Sequence, residues 1–327
     1  MRTLDVVMCF DRSFILGSGA LIVSMLKHNP DTKFYFHLCV DDADVKPIAD
    51  KLVKRVNALA PTGACEFSIK PFGGFAGFKK LSNALNRRRA TQCARLLLGE
   101  ITDYHADRVL FIDADVLCLG RVDLIFDLEF VNGEIFAATQ GQDGTVNVCG
   151  TPCDGYYWAG LLIVSISKWR AAKLGDRCID FIVQKDPKFQ DQDALNALTT
   201  GKIKALPPEW QAMWRPQVGT VLLHFPGSKP WDPWAFGKVK EATNLFRQYA
   251  KLFEPDVAKW LSFRADKDAL INFNVYKTRH SMKWLALKML KQRHFKGFIY
   301  FYFKHITSKV KQKGVIGTLI MRSNTRS

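Results

Sequence analysis

Val109-Leu110-Phe111-Ile112-Asp113-Ala114-Asp115-Val116 decides how this chain reads: four apolar residues run straight into two carboxylates separated by one small residue. An apolar run of this length, closed by polar residues, is the signature of a buried strand. In an extended chain, residues two apart share a side, so Asp113 and Asp115 can converge on one point. Two carboxylates so placed call for a cation, and a hard divalent ion that in turn holds nucleotide phosphates is the usual physical reason for the pattern. The plain alternative is an acidic turn that closes a strand.

Outward from this strand the chain alternates short apolar runs with helical patterns. Strands are expected over 4–10, 33–40, 65–69, 157–165 and 221–223, and helices over 15–28, 44–59, 83–98 and 191–198. Such alternation predicts an α/β fold, a Rossmann-like, mostly parallel mixed sheet with helices on both faces. Ligands then bind beyond the carboxyl ends of the strands. Neither Gly17-Ser18-Gly19 nor Phe72-Gly73-Gly74 completes a dinucleotide fingerprint or a P-loop, so phosphate recognition has to come from elsewhere.

With 327 residues, 48% of them hydrophobic, the chain can build a substantial core. Its eight cysteines include no CxxC pair and several sit in apolar runs, which predicts reduced, buried thiols and a cytosolic protein. Residues 14–26 are apolar, but Asp5, Asp11 and Arg12 argue against a secretory leader. No apolar run reaches the ~20 residues that span a bilayer.

Charge divides the chain. From residue 269 to 327 there are nine Lys, four Arg and no Asp or Glu, so this stretch carries +13 of the total +16 and leaves +3 to the rest. We therefore expect a nearly neutral domain over 1–265 and a basic, aromatic extension over 266–327. Trp284, Leu287, Phe295, Phe298, Ile299, Tyr302 and Ile306 can form one apolar side of helices whose other side is Lys-rich. That pattern suits an anionic membrane surface better than nucleic acid or a merely solvated face.

Several polar positions carry chemistry. Asp11 and Ser13 follow the first strand, where a nucleotide would sit, and two readings stand for Asp11: it holds a base or ribose, or it caps the following helix. In His224-Phe225-Pro226-Gly227-Ser228-Lys229-Pro230-Trp231 a strand ends in His, and a Pro-Gly turn carries a Lys. His224 can give a nitrogen ligand to the ion of the two Asp, Gly227 allows close backbone approach, and Lys229 neutralises phosphate. A mixed oxygen and nitrogen set fits Mn²⁺ better than Ca²⁺. Asp191-Gln192 opens a helix, where a carboxylate either caps or, with its neighbour, holds sugar hydroxyls. Trp210, Trp214, Trp231 and Trp234 lie in Pro-rich connections, suited to packing or to stacking on sugar faces.

Taken together, Phe111 to Val116, Ala159-Gly160-Leu161-Leu162-Ile163-Val164 with Lys168-Trp169-Arg170, Asp191-Gln192-Asp193-Ala194-Leu195-Asn196, and His224-Phe225-Pro226-Gly227 with Lys229-Pro230-Trp231 resemble glycosyltransferase family 8. Within it, they resemble the bacterial lipopolysaccharide galactosyl- and glucosyltransferases. The resemblance covers nearly the whole chain, the basic aromatic extension included. It implies a nucleotide-diphospho-sugar transferase fold of the GT-A type and a retaining hexosyltransferase using UDP-glucose or UDP-galactose with Mn²⁺, or Mg²⁺, on a lipopolysaccharide or lipooligosaccharide core acceptor. It further implies a cytoplasmic protein, peripheral on the inner face of the bacterial inner membrane.

Residue by residue, the resemblance gives Asp113, Asp115 and His224 to the metal, Asp113 and the Ala114 backbone to the ribose, and Asp11 and Ser13 to the uridine. Gly227 and Lys229 would meet the diphosphate. Arg95, Asp191 and Gln192 would meet the donor sugar, with Asp191 and Gln192 nearest the chemistry. Two positions depart from the family's pattern. Trp158 stands where many members have Asn, and the spacing from Gly227 to Lys229 is one residue shorter. These departures motivate an alternative, a catalytically weakened relative that binds sugar nucleotides or membranes.

Overall fold

In the computed structural model, residues 2–102, 106–231, 239–256, 299 and 302 are described. They fall into two compact units, one of Met1–Pro226 with Gln248–Glu254 and one of Gly227–Arg247 with Pro255–Ser327.

The first unit is built on strands β1 (Arg2–Cys9), β2 (Thr32–Val40), β3 (Cys65–Pro71), β4 (Arg108–Ile112), β5 (Val116–Cys118), β6 (Phe136–Val148), β7 (Thr151–Tyr157), β8 (Leu161–Ser165), β9 (Ile203–Leu206), β10 (Ala212–Met213) and β11 (Leu222–His224). Its helices are α1 (Ile15–His28), α2 (Val45–Ile48), α3 (Lys54–Leu59), α4 (Ala76–Ala84), α5 (Arg87–Gln92), α6 (Leu98–Ile101), α7 (Ile166–Ala171), α8 (Leu174–Lys185) and α9 (Gln190–Leu198). A last helix, α10 (Lys240–Phe253), runs from the second unit into the first.

The main sheet has the order β3-β2-β1-β4-β8-β6-β7, with β9 beside β6. β1, β2, β3 and β4 run parallel, whereas β8 lies antiparallel between β4 and β6. The expected mixed, mostly parallel α/β sheet is what forms. Its centre is buried on both faces, as a helix-covered sheet requires: Val6, Val7, Met8, Val109, Leu110, Phe111 and Ile112 are all at most 1% exposed. A small second sheet, β10-β11-β5, runs β11 antiparallel to β5.

Two expectations need correction. The helix over 83–98 is broken: α4 stops at Ala84, Leu85 is extended, and Asn86 caps α5 by accepting from Arg89 N at 3.1 Å. Arg95 consequently sits in a tight 3₁₀ turn, Cys93–Leu97. The strand over 157–165 reduces to β8, because Tyr157 is the last residue of β7 and residues 158–160 lie outside both strands. The long β6 was not expected at all; beyond its first residues it is an exposed hairpin arm with a polar sequence. The cysteines are free as expected, though Cys149 is exposed and Cys9 and Cys65 are only half-buried. Among the described residues no helix is long and apolar enough to cross a membrane. The expected extension lies outside the described residues except for Ile299 and Tyr302.

Candidate active site

Beyond the carboxyl end of β4 the chain turns at Ala114 and Asp115 and starts β5 at Val116. Asp113 and Asp115 are thus brought together by a turn rather than by the side-sharing of an extended strand. Three backbone bonds pin that turn. Asp113 N donates to Gly160 O at 2.9 Å, Phe225 N donates to Asp115 O at 2.9 Å, and the β5–β11 ladder sets His224 opposite Val116.

His224 Nε2 then lies 3.4 Å from Asp115 Oδ1 and 3.9 Å from Asp113 Oδ2, and one ligand atom from each of the three falls within 4.8 Å of the others. Asp115 and His224 are buried and Asp113 is half-buried. Two further observations show that these residues suit a divalent ion. A Cβ at Gly160 would stand 2.7 Å from His224 Cε1, 2.8 Å from Gln211 Nε2 and 2.9 Å from Asp113 Oδ2, so only Gly leaves the ligands room to converge. The Gln211 amide lies 3.0 Å from His224 Nδ1, and its own Oε1 is buried with no hydrogen-bond partner among the described residues. Turned about its last bond, that amide accepts the Nδ1 proton and leaves Nε2 as a bare ligand facing the carboxylates, which satisfies the orphaned oxygen.

Next to this cluster runs a buried charge chain. Arg95 Nε stands 2.6 Å from Asp191 Oδ2 and its NH2 group 3.0 Å from Asp113 Oδ1. The guanidinium also donates to Ala159 O and lies 4.7 Å over the Phe111 ring. Burial alone would lower the Arg95 pKa, but Asp113 and Asp191 outweigh it and hold it above its usual value. Burial pushes Asp191 up to about 6, against the pull of Arg95 and with a further push from Asp113. Asp191 is the second residue of α9, and its carboxylate faces the Arg95 guanidinium. Gln192, half-buried, reaches across to the segment after β7.

Asp11 accepts from Ser13 N at 2.8 Å and from Ser13 Oγ, capping the turn Arg12–Phe14. It follows β1, the parallel neighbour of β4, so both Asp11 and Asp113 lie past the carboxyl ends of adjacent strands. Gly227 and Lys229 belong to the second unit, where Gly227 takes φ +79°, a conformation that favours glycine. Trp210 and Trp214 are packing residues: both are 6% exposed, and Trp214 donates to Pro226 O at 3.0 Å and meets Phe225 edge-on. Trp231 packs on Phe246, and Trp234 lies outside the described residues. Trp158 turns its ring over Gly141, where a Cβ would come within 2.2 Å of it. Sequence alone assigns no role to Gln211 or Tyr156, since neither stands in a motif, or to Gly160, in a small-residue step before a buried strand.

The sequence model of Glycosyl transferase family 8 matches residues 5–235. The chain is 27% identical to the lipopolysaccharide 1,3-galactosyltransferase of Salmonella typhimurium, over 92% of this chain and 89% of that protein. It is 25% identical to the lipopolysaccharide glucosyltransferase WaaO of Escherichia coli, over 94% and 91%. Among solved structures, that of galactosyltransferase LgtC with donor and acceptor sugar analogs superposes with a TM-score of 0.59 at 23% identity, covering 76% of this chain and 95% of that one. Since the family match takes in the sheet, the carboxylate turn, the Arg95–Asp191 chain and the strand of His224, the chain belongs to glycosyl transferase family 8 and is a glycosyltransferase.

Proposed function

We propose that this glycosyltransferase moves glucose or galactose from a UDP-sugar to a sugar of a lipopolysaccharide core, with retention of configuration and with Mn²⁺, or Mg²⁺, at Asp113, Asp115 and His224. The observation that carries the proposal is the clustering of these three ligands beside the buried Arg95–Asp191 pair. The similarity of almost the whole chain to lipopolysaccharide galactosyl- and glucosyltransferases supplies the substrate class.

When bound, a divalent ion neutralises the diphosphate as a leaving group. The protein's own groups do the rest. Asp11 and Ser13 sit where a uridine would be read, and Ala114 and Asp113 where its ribose would lie. Gly227 and Lys229 receive the diphosphate. Arg95 fixes the carboxylate of Asp191, so that Asp191 and Gln192 hold the donor sugar's hydroxyls and face the charge that develops on its ring. No second strong base is needed, because the departing phosphate oxygen can take the acceptor's proton.

The extension over 266–327 is proposed to hold the enzyme on an anionic membrane, at the inner face of the inner membrane, each Lys or Arg contributing on the order of 1 kcal/mol. Ile299 and Tyr302, three apart and half-exposed at 52% and 49%, agree with an apolar helix side. The weakened-enzyme alternative is not favoured, since the family match and the similarity to lipopolysaccharide glycosyltransferases run over most of the chain.

The test is Mn²⁺-dependent UDP release from UDP-glucose and UDP-galactose. Asp113→Ala and Asp115→Ala should each lower it at least about a hundredfold. Undiminished turnover in both would reject the assigned centre.

A further inference from the structure

Helix α9 is fastened to the end of β7 and the segment after it by polar side chains on successive turns. Asn196 brackets Tyr157, accepting from its N at 2.8 Å and donating to its O at 3.0 Å. One turn earlier, Gln192 accepts from Ala159 N at 3.0 Å through Oε1 and donates through Nε2 to Tyr156 Oη at 3.1 Å. Tyr156 Oη in turn lies 2.5 Å from Asp193 Oδ1, while Asp193 Oδ2 accepts from Phe189 N at 2.8 Å.

The directions of these bonds are not interchangeable. A carboxylate only accepts, so the phenol donates its hydrogen bond to Asp193 and turns lone pairs toward Gln192. Burial first, and then the Asp193 contact, raise the Tyr156 pKa, so that proton stays on the ring oxygen. The Ala159 N–H, at the other end, only donates. Both neighbours therefore demand the same orientation of the Gln192 carboxamide, nitrogen toward Tyr156 and oxygen toward Ala159. Ala159 precedes Gly160, the residue that opens onto Asp113 and His224.

We infer that Tyr156 and Asp193 are positioning residues for glycosyl transfer: they clamp the Gln192 carboxamide so that its oxygen, and not its nitrogen, is presented beside Gly160. A carbonyl oxygen there stabilises positive charge developing on a sugar ring, whereas an NH2 group would oppose it. The inference rests on the donor-sugar role proposed for Gln192. Asp193 acts only through Tyr156, both of its oxygens being engaged.

The experiment uses full-length protein labelled with ¹⁵N-glutamine, with Gln192→Leu identifying the side-chain NH2 resonance of Gln192. Tyr156→Phe keeps the ring and removes the hydroxyl that accepts from that NH2 group and donates to Asp193. It should move the resonance toward the position of a solvent-exposed carboxamide. With a UDP-hexose and Mn²⁺, it should lower kcat roughly tenfold while the donor KM stays within about twofold. A resonance that does not move overturns the inference. So does a variant with wild-type kcat and a lowered Tm, the mark of a merely structural tyrosine, or one whose donor KM rises while kcat holds. Absence of turnover in the wild type counts against the functional reading, and the resonance then decides this inference by itself.

Discussion

Replacing Arg95 by Met keeps most of the side-chain volume over Phe111 but removes the guanidinium that pairs with both Asp191 and Asp113. Asp191, 8% exposed, is then left as a carboxylate without that counter-charge. Breaking a buried pair in this way costs roughly 3–5 kcal/mol. The cost depends on pH, and its sign follows from Asp191. Its folded pKa of about 6 stands above its ordinary 3.8, so the folded protein binds the extra proton between those values. The stability that Asp191 contributes is complete below pH 3.8 and is lost as pH rises through 6, amounting to about 3 kcal/mol over that window. In Arg95→Met the downward pull of the guanidinium is gone, the folded pKa rises further, and additional stability is lost above pH 6 at up to about 1.4 kcal/mol per unit. Urea denaturation of the metal-free protein should therefore show a loss of about 3–5 kcal/mol at pH 8 and a clearly smaller one at pH 5. Adding Asp191→Asn to Arg95→Met should recover much of the loss at pH 8, a coupling that a double-mutant cycle isolates. Equal losses at both pH values, or a loss under about 1 kcal/mol at pH 8, would refute the reasoning.

Gly160→Ala puts a methyl group within 2.9 Å of Asp113, Gln211 and His224, so Mn²⁺ affinity measured by titration calorimetry should fall at least about tenfold without any change of charge; an unchanged affinity means the ion does not sit there. Gly175→Ala drives a Cβ to 2.2 Å from the backbone oxygen of Leu96, in the turn that carries Arg95, and should cost about 3 kcal/mol in thermal unfolding. Deleting residues 269–327 removes thirteen basic side chains and no acidic ones. Sedimentation with anionic vesicles should be lost while Mn²⁺-dependent UDP release survives, and full vesicle binding by the shortened chain would end the membrane assignment.

The strands that carry the site were legible because they are apolar runs closed by polar residues, and β1, β2, β4 and β11 sit within a few residues of where the sequence puts them. The break at Leu85 and Asn86 was not, although Asn86 is a good capping residue. Its signal competes with a helical pattern on both sides, and the cap prevails only because Leu85 is extended in the fold. β6 escaped because most of its length pairs with β7 out in solvent, where alternation of apolar residues is not needed. At the site, Asp113, Asp115, His224 and Asp191–Gln192 could be proposed from chemistry alone, and Arg95 from family resemblance. Gln211 and Tyr156 could not. Each matters only for an atom it offers to a side chain from a remote part of the chain, and no local spacing encodes that.

The pairing of β5 with β11 has a consequence for how the protein is made. Asp113 and Asp115 leave the ribosome with the first half of the chain, but the strand that brings His224 alongside Val116 is synthesised much later. Until it docks, the carboxylate turn holds two of the three residues of the cluster, and Phe225 is not there to bind Asp115 O. An ion that needs all three binds only the finished arrangement, and by mass action it then opposes the undocking of β11. High affinity for the proposed ion would thus mark a chain made past β11, and nascent chains that stop short of residue 222 should lack it.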